Sequence, residues 1–129
     1  MPVLASALRD ATRYGDGMSV GVLIEHHVQP GTRDSVRAIW EEFLRPAIAA
    51  NPAHEAYAYM YDIDDLNVIR AFQQYIDAEA ASAFLSTPEY AAYVAAVEDL
   101  LVAPPTVTLT EVVWTKPTSA PESGTTPIE

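Results

Sequence analysis

The rhythm of apolar and polar positions changes repeatedly along the chain, and each change marks an element. Residues 19–28 (SVGVLIEHHV) are rich in β-branched side chains and run into Gln29-Pro30-Gly31, which predicts a strand followed by a turn from which a helix can start. Val36, Ile39, Trp40, Phe43, Leu44, Ala47 and Ile48 then recur at helical spacing. Pro46 has no amide proton and should kink or split that helix, and Asn51-Pro52 should close it. Residues 55–62 (EAYAYMYD) and 68–76 (VIRAFQQYI) read as the two strands of a hairpin, joined by the acidic turn Ile63-Asp64-Asp65-Leu66-Asn67.

Asp77 is placed to cap a short helix over 78–85. Thr87-Pro88 supplies a capping hydroxyl and a first-turn proline for another helix, with Tyr90, Tyr93, Val94, Val97, Leu100 and Leu101 on one stripe and Pro104-Pro105 as its stop. Residues 106–114 (TVTLTEVVW) form the last strand, so the order is βαββαβ. That order predicts an α+β fold of the ferredoxin-like, split-βαβ type, a four-stranded antiparallel sheet with its helices on one face. A monomer of this plan shows polar residues on the open face, whereas here both parities of the strands are apolar: Val68, Phe72 and Ile76 against Ile69, Ala71 and Tyr75, and Val107, Leu109 and Val113 against Val112 and Trp114. The expectation is a homodimer whose two sheets meet as a dimeric α+β barrel.

Composition narrows the reading. The chain has 129 residues, half of them apolar, which suits one domain. Residues 1–18 read as an N-terminal extension, 19–115 as the working domain, and 116–129, rich in Pro, Ser and Thr, as a flexible tail unable to build a core. A formal charge of −11 repels a phosphate backbone, so nucleic acid is not an expected partner. The absence of cysteine removes disulfides, thiolate metal sites and thiol nucleophiles. No apolar run approaches the roughly 20 residues of a membrane span, and the expectation is a cytoplasmic protein without membrane contact. Asp62, Asp64 and Asp65 are spaced somewhat like a calcium loop, but Leu66, Asn67 and Gln73 fall where such a loop needs other residues, and the segment reads as a solvated turn. No phosphate-cradling loop, zinc-protease motif or nucleophile elbow is present, and no metal site is expected.

The element order over about residues 19–114, with Val28-Gln29-Pro30-Gly31, Tyr75-Ile76-Asp77 and Ser86-Thr87-Pro88-Glu89-Tyr90, resembles the antibiotic biosynthesis monooxygenase (ABM) family of dimeric α+β barrels. Three positions depart from the family pattern: Gln74 replaces the common signature carboxylate, Tyr75 the common Trp, and Phe84 a frequent His. The Asn, Trp and His triad of the haem-degrading branch is not reproduced, and Ile24 stands near its Asn position. The resemblance implies a cofactor-independent oxidation of a quinol, an anthrone or a polyketide-type aromatic by dioxygen. A deprotonated phenol or anthrone can itself give electrons to oxygen, so the protein need supply only a dry cavity, orientation and a proton acceptor. The alternative is a non-oxidative small-molecule binding or cyclase-like protein of the same superfamily, which the loss of His at position 84 favours.

Candidate residues follow from strand parity. His26 and His27 are adjacent on a strand and point to opposite faces; if Val20, Val22 and Ile24 line the helix side, His26 is the candidate base, a base near neutrality suiting the task, or else a hydrogen-bonded histidine at a strand end. Tyr75, at the Trp-like position, is expected to face the pocket and orient a substrate hydroxyl. Tyr57, Tyr59 and Tyr61 share one face of their strand and suit either stacking on a planar substrate or packing across a subunit interface. Trp40 is a core residue or a pocket wall, Phe84 narrows the pocket, and Gln74, on the opposite parity to Tyr75, joins a barrel hydrogen-bond network that touches substrate. His54 is expected in a solvent-exposed loop ahead of its strand.

Overall fold

The computed structural model describes residues 18–117; residues 1–17 and 118–129, and with them nearly all of the expected extension and tail, lie outside the described residues. Strand β1 (Val20–His27) leads into helix α1 (Arg33–Phe43) and helix α2 (Arg45–Ala50). Strands β2 (His54–Tyr61) and β3 (Val68–Tyr75) follow, then helices α3 (Ala78–Phe84) and α4 (Pro88–Val97), a 3-10 turn over Glu98–Leu100, and strand β4 (Thr106–Glu111). The strands form one antiparallel sheet in the order β2-β3-β1-β4, the ferredoxin-like arrangement expected from the element order.

The local chemistry follows the sequence closely. Pro46 ends α1 and opens α2, splitting the predicted helix at Leu44, whose amide still reaches the carbonyl of Trp40. The Asp77 carboxylate accepts the Ala80 amide at 2.7 Å, and the Thr87 hydroxyl accepts that of Tyr90 at 3.2 Å, so both predicted caps are formed. Arg33 closes the acidic turn by donating from Nη1 to the carbonyls of Asp62, Asp65 and Val68 at 3.0–3.1 Å.

Central strand β1 sets the register of everything else. Ile24 pairs with Ala71 and Val107, and Ala71 with Tyr59; Val22 pairs with Gln73 and Leu109, and Gln73 with Tyr57. These rows face the helices and form the core with Val36, Trp40, Tyr93 and Val97. Val22 and Val36 are fully buried, each contributing about 1.5–3 kcal/mol.

Two expectations are corrected. Strand β4 ends at Glu111 instead of residue 114, because after Val112 donates to the Ser19 carbonyl the chain has reached the start of β1 and, among the described residues, meets no further backbone partner. Val113 and Trp114 are consequently exposed, at 87% and 75%. The open face is also less uniformly apolar than the parities suggested. Leu23 and Phe72 occupy its middle and Met60 its β2 edge, bordered by Thr108 and Thr110, by Gln74 bound to Glu55, and by Arg70 bridging Glu25 and Asp62. Among the described residues no helix is long and apolar enough to cross a membrane.

Replacing the α3 cap, Asp77→Ala, should cost about 1 kcal/mol, read as a lower urea midpoint with an unchanged slope, and Asp77→Asn should recover most of it.

Candidate active site

A cavity of about 590 Å³ lies between the β1–β4 side of the sheet and α4, walled mainly by Ile24, Val94, Val97, Leu101 and Val107. Its size and apolar lining suit one small planar molecule. His26 enters it from β1, as its parity predicts, and is the imidazole in its wall. The ring is only 8% exposed, and its Nε2 lies 3.0 Å from the Tyr93 hydroxyl. Nδ1 is buried with no hydrogen-bond partner among the described residues. Burial, aided by the positive charge of a protonated His27, holds the pKa of His26 down to about 4. His26 is therefore a neutral imidazole at pH 7, which corrects the expectation of a base titrating near neutrality.

Behind His26 lies a second cavity of about 20 Å³, bounded by Trp40, Tyr57, Tyr59, Gln73 and Tyr93 and sharing Ile24, His26 and Tyr90 with the larger one. Trp40 is both core and wall. Its Nε1 donates to the Tyr57 hydroxyl at 3.0 Å, and its ring centroid is 4.2 Å from that of Tyr59. Tyr57 and Tyr59 face the helices, so of their two possible uses the interface packing is excluded. Tyr61 shares their face, and its hydroxyl donates to Asp34 at 2.7 Å.

Tyr75 turns to the helix side as expected, yet it lines neither cavity: it is fully buried one layer behind, and its hydroxyl donates to Gln73 Oε1 at 2.5 Å. Phe84 is buried beside it and likewise lines neither cavity. Gln74 sits on the open face, its amide donating to Glu55 at 2.6 Å, and the structure does not bring it to the other candidates. The amide that reaches the inner cavity is Gln73.

The expectation of a solvent-exposed His54 is overturned. His54 is the first residue of β2, half-buried, with its ring centroid 4.3 Å from Tyr75 and 4.6 Å, edge-on, from Phe84. Its Nδ1 is 2.9 Å from Asn51 Nδ2 and its Nε2 is 3.2 Å from Gln73 Oε1, an arrangement that fits the Nε2–H tautomer. Burial lowers its pKa, partly opposed by the hydrogen bond to Gln73. An imidazole thus arrives beside Phe84 from β2. Gln73, His54, Tyr90 and Tyr93 are the residues that sequence reasoning missed. For Gln73 the signal was present, because the period of two that turns Tyr75 inward also turns Gln73 inward.

The family model for antibiotic biosynthesis monooxygenases matches residues 19–96. Among solved structures, a protein of Caulobacter crescentus provisionally named an antibiotic biosynthesis monooxygenase superposes with a TM-score of 0.71 at 17% identity, covering 76% of this chain and 92% of its own. A Mycobacterium tuberculosis protein gives 0.68 at 24% identity over 75% and 97%. A Bacteroides thetaiotaomicron protein of unknown function, described as a possible oxidoreductase, gives 0.67 at 15% over 75% and 100%. These likenesses show the fold. No curated protein matches the chain significantly.

The depressed pKa of His26 has a consequence for stability. Unfolded, the side chain titrates near 6.5, and folded near 4. Between those values the unfolded chain binds more protons, so its contribution is fully retained above pH 6.5 and stability is lost as pH falls toward 4, by about 3 kcal/mol. Urea unfolding at pH 7 and pH 4.5 should show a smaller acid loss for His26→Gln than for the wild type.

Proposed function

The chain belongs to the antibiotic biosynthesis monooxygenase family, and on that premise we propose that it is a cofactor-independent monooxygenase acting on an electron-rich aromatic of the anthrone, quinol or polyketide type. One observation carries the reading: an apolar cavity whose wall contains a buried, neutral imidazole with an uncommitted nitrogen. A neutral imidazole in that wall is an acceptor for the proton of an acidic C–H or O–H bound in the cavity. Burial disfavours a lone imidazolium, but transfer from a bound neutral substrate creates an ion pair whose attraction offsets part of that cost. For an anthrone the atoms balance simply. The methylene carbon becomes a carbonyl with one oxygen atom of O2, and the other oxygen leaves as water with the two methylene hydrogens. Trp40, Tyr57 and Tyr59 shape the inner end of the site, while Tyr75 and Phe84, with His54 between them, hold the amide of Gln73 in place from behind. A second copy of the chain is the partner, its sheet covering Leu23, Met60 and Phe72.

A non-oxidative binding or cyclase-like protein is the second reading, favoured by Phe84 in place of the family imidazole. Oxygen-electrode measurements with anthrones and hydroquinones separate the two. The oxygenase reading expects substrate-dependent uptake that falls by about 100-fold in His26→Ala. Ligand-induced quenching of tryptophan fluorescence without any uptake would establish the second reading instead. Sedimentation velocity at micromolar concentration should give a dimer that Phe72→Glu dissociates, and a stable, folded wild-type monomer would refute the pairing of sheets.

A further inference from the structure

The larger cavity changes character from floor to mouth, and the mouth has no part in the chemistry proposed so far. His26 and Val97 line it and are buried, whereas Glu98, Val102, Ala103 and Pro104 line it and are exposed, so the latter mark its opening. Among the described residues Glu98 is the one carboxylate in the lining, and no lysine or arginine joins it. Glu98 also forms no ion pair among the described residues. Its backbone is pinned in place. Glu98 opens the 3-10 turn, and its carbonyl accepts the Leu101 amide at 3.3 Å. The end of β1 holds that turn from both sides: the Gln29 amide donates to the Leu100 carbonyl at 2.7 Å, and the Val102 amide to the His27 carbonyl at 2.8 Å. Pro104-Pro105, with their restricted φ angles, then carry the rim into β4.

A carboxylate fixed at the opening acts on every charged ligand that enters. An aromatic carboxylate bound in the cavity would be stripped of water with no cation in the wall to replace it, and would face both Glu98 and a chain of formal charge −11. An ammonium or hydroxyl group at the outer end of a ligand meets the reverse situation, since it stays near water and finds an acceptor. We propose that Glu98 is a specificity determinant of this site. It selects aromatic ligands that are neutral or cationic, rejects aromatic carboxylates, and turns the bound molecule so that its amine or hydroxyl end lies at the mouth and its rings point toward His26. The inference rests on the cavity being the ligand site, which the oxygenase and binding-protein readings share, and it adds the charge class and the orientation of the ligand.

The test compares three ligands that share one ring system and differ in charge: naphthylmethylamine, naphthylmethanol and naphthoate, titrated into the full chain by calorimetry at neutral pH. The wild type should bind the amine tighter than the acid by about 10-fold or more. Glu98→Gln keeps the shape of an exposed side chain and should weaken the amine and strengthen the acid by about 3–5-fold each, with the alcohol within about 2-fold of wild type. Glu98→Lys should carry both changes further in the same direction, and added salt should shrink the wild-type preference. A crystal structure of the amine complex should place the ammonium beside Glu98 and the rings toward His26. An amine-to-acid ratio unmoved in Glu98→Gln, or an ammonium found away from Glu98, overturns the role of Glu98 alone. Failure of all three ligands to bind overturns the cavity as a ligand site and the role of Glu98 with it. The expected charge preference in a wild type that takes up no oxygen with any quinol or anthrone upholds the role of Glu98 and removes only the oxygenase reading.

Discussion

Antiparallel pairing of β1 between β3 and β4 is the constraint on which the rest depends. Because side chains alternate along a strand, one register fixes the face of every residue in the sheet, and a slip of one residue would exchange the two faces wholesale. With Val20 opposite Tyr75 and His27 opposite Val68, the even positions of β1 meet the odd positions of β3 on the helix side. His26, Gln73, Tyr57 and Tyr59 come together there through backbone hydrogen bonds, before any side chain touches another.

Burial then gives these groups their chemistry. The same desolvation that lowers the pKa of His26 raises those of the surrounding phenols, so the site contains a neutral acceptor beside proton-retaining donors. Such a set contains no anion and is unsuited to holding a cation. The opposite face carries exposed ion pairs of Arg70 with Glu25 and Asp62, where water screens them and they contribute little to stability.

Much of this was legible in the residues. Pro46, Asp77 and Thr87-Pro88 act through local sterics and capping bonds that need no tertiary context, and each did in the fold what it promised in the sequence. That His26 and His27 take opposite faces was equally readable, because alternation is a property of the strand alone, but which of them turns inward was fixed by the packing of helices on one side of the sheet. His54 was misjudged because burial of a residue at a strand end depends on what stands next to it, here Tyr75 and Phe84 from distant segments. Tyr75 and Phe84 were set at the pocket by family position, whereas packing places them one layer behind it.

Periodicity and turn chemistry by themselves determined the elements, their order and the alternation of side chains along each strand, since those are set by neighbours within a few residues. Depth was decided by the tertiary structure: which inward residues reach a cavity, which support others, and how far each pKa moves. Those quantities are sums over atoms contributed by segments far apart in the chain, and no local pattern contains them.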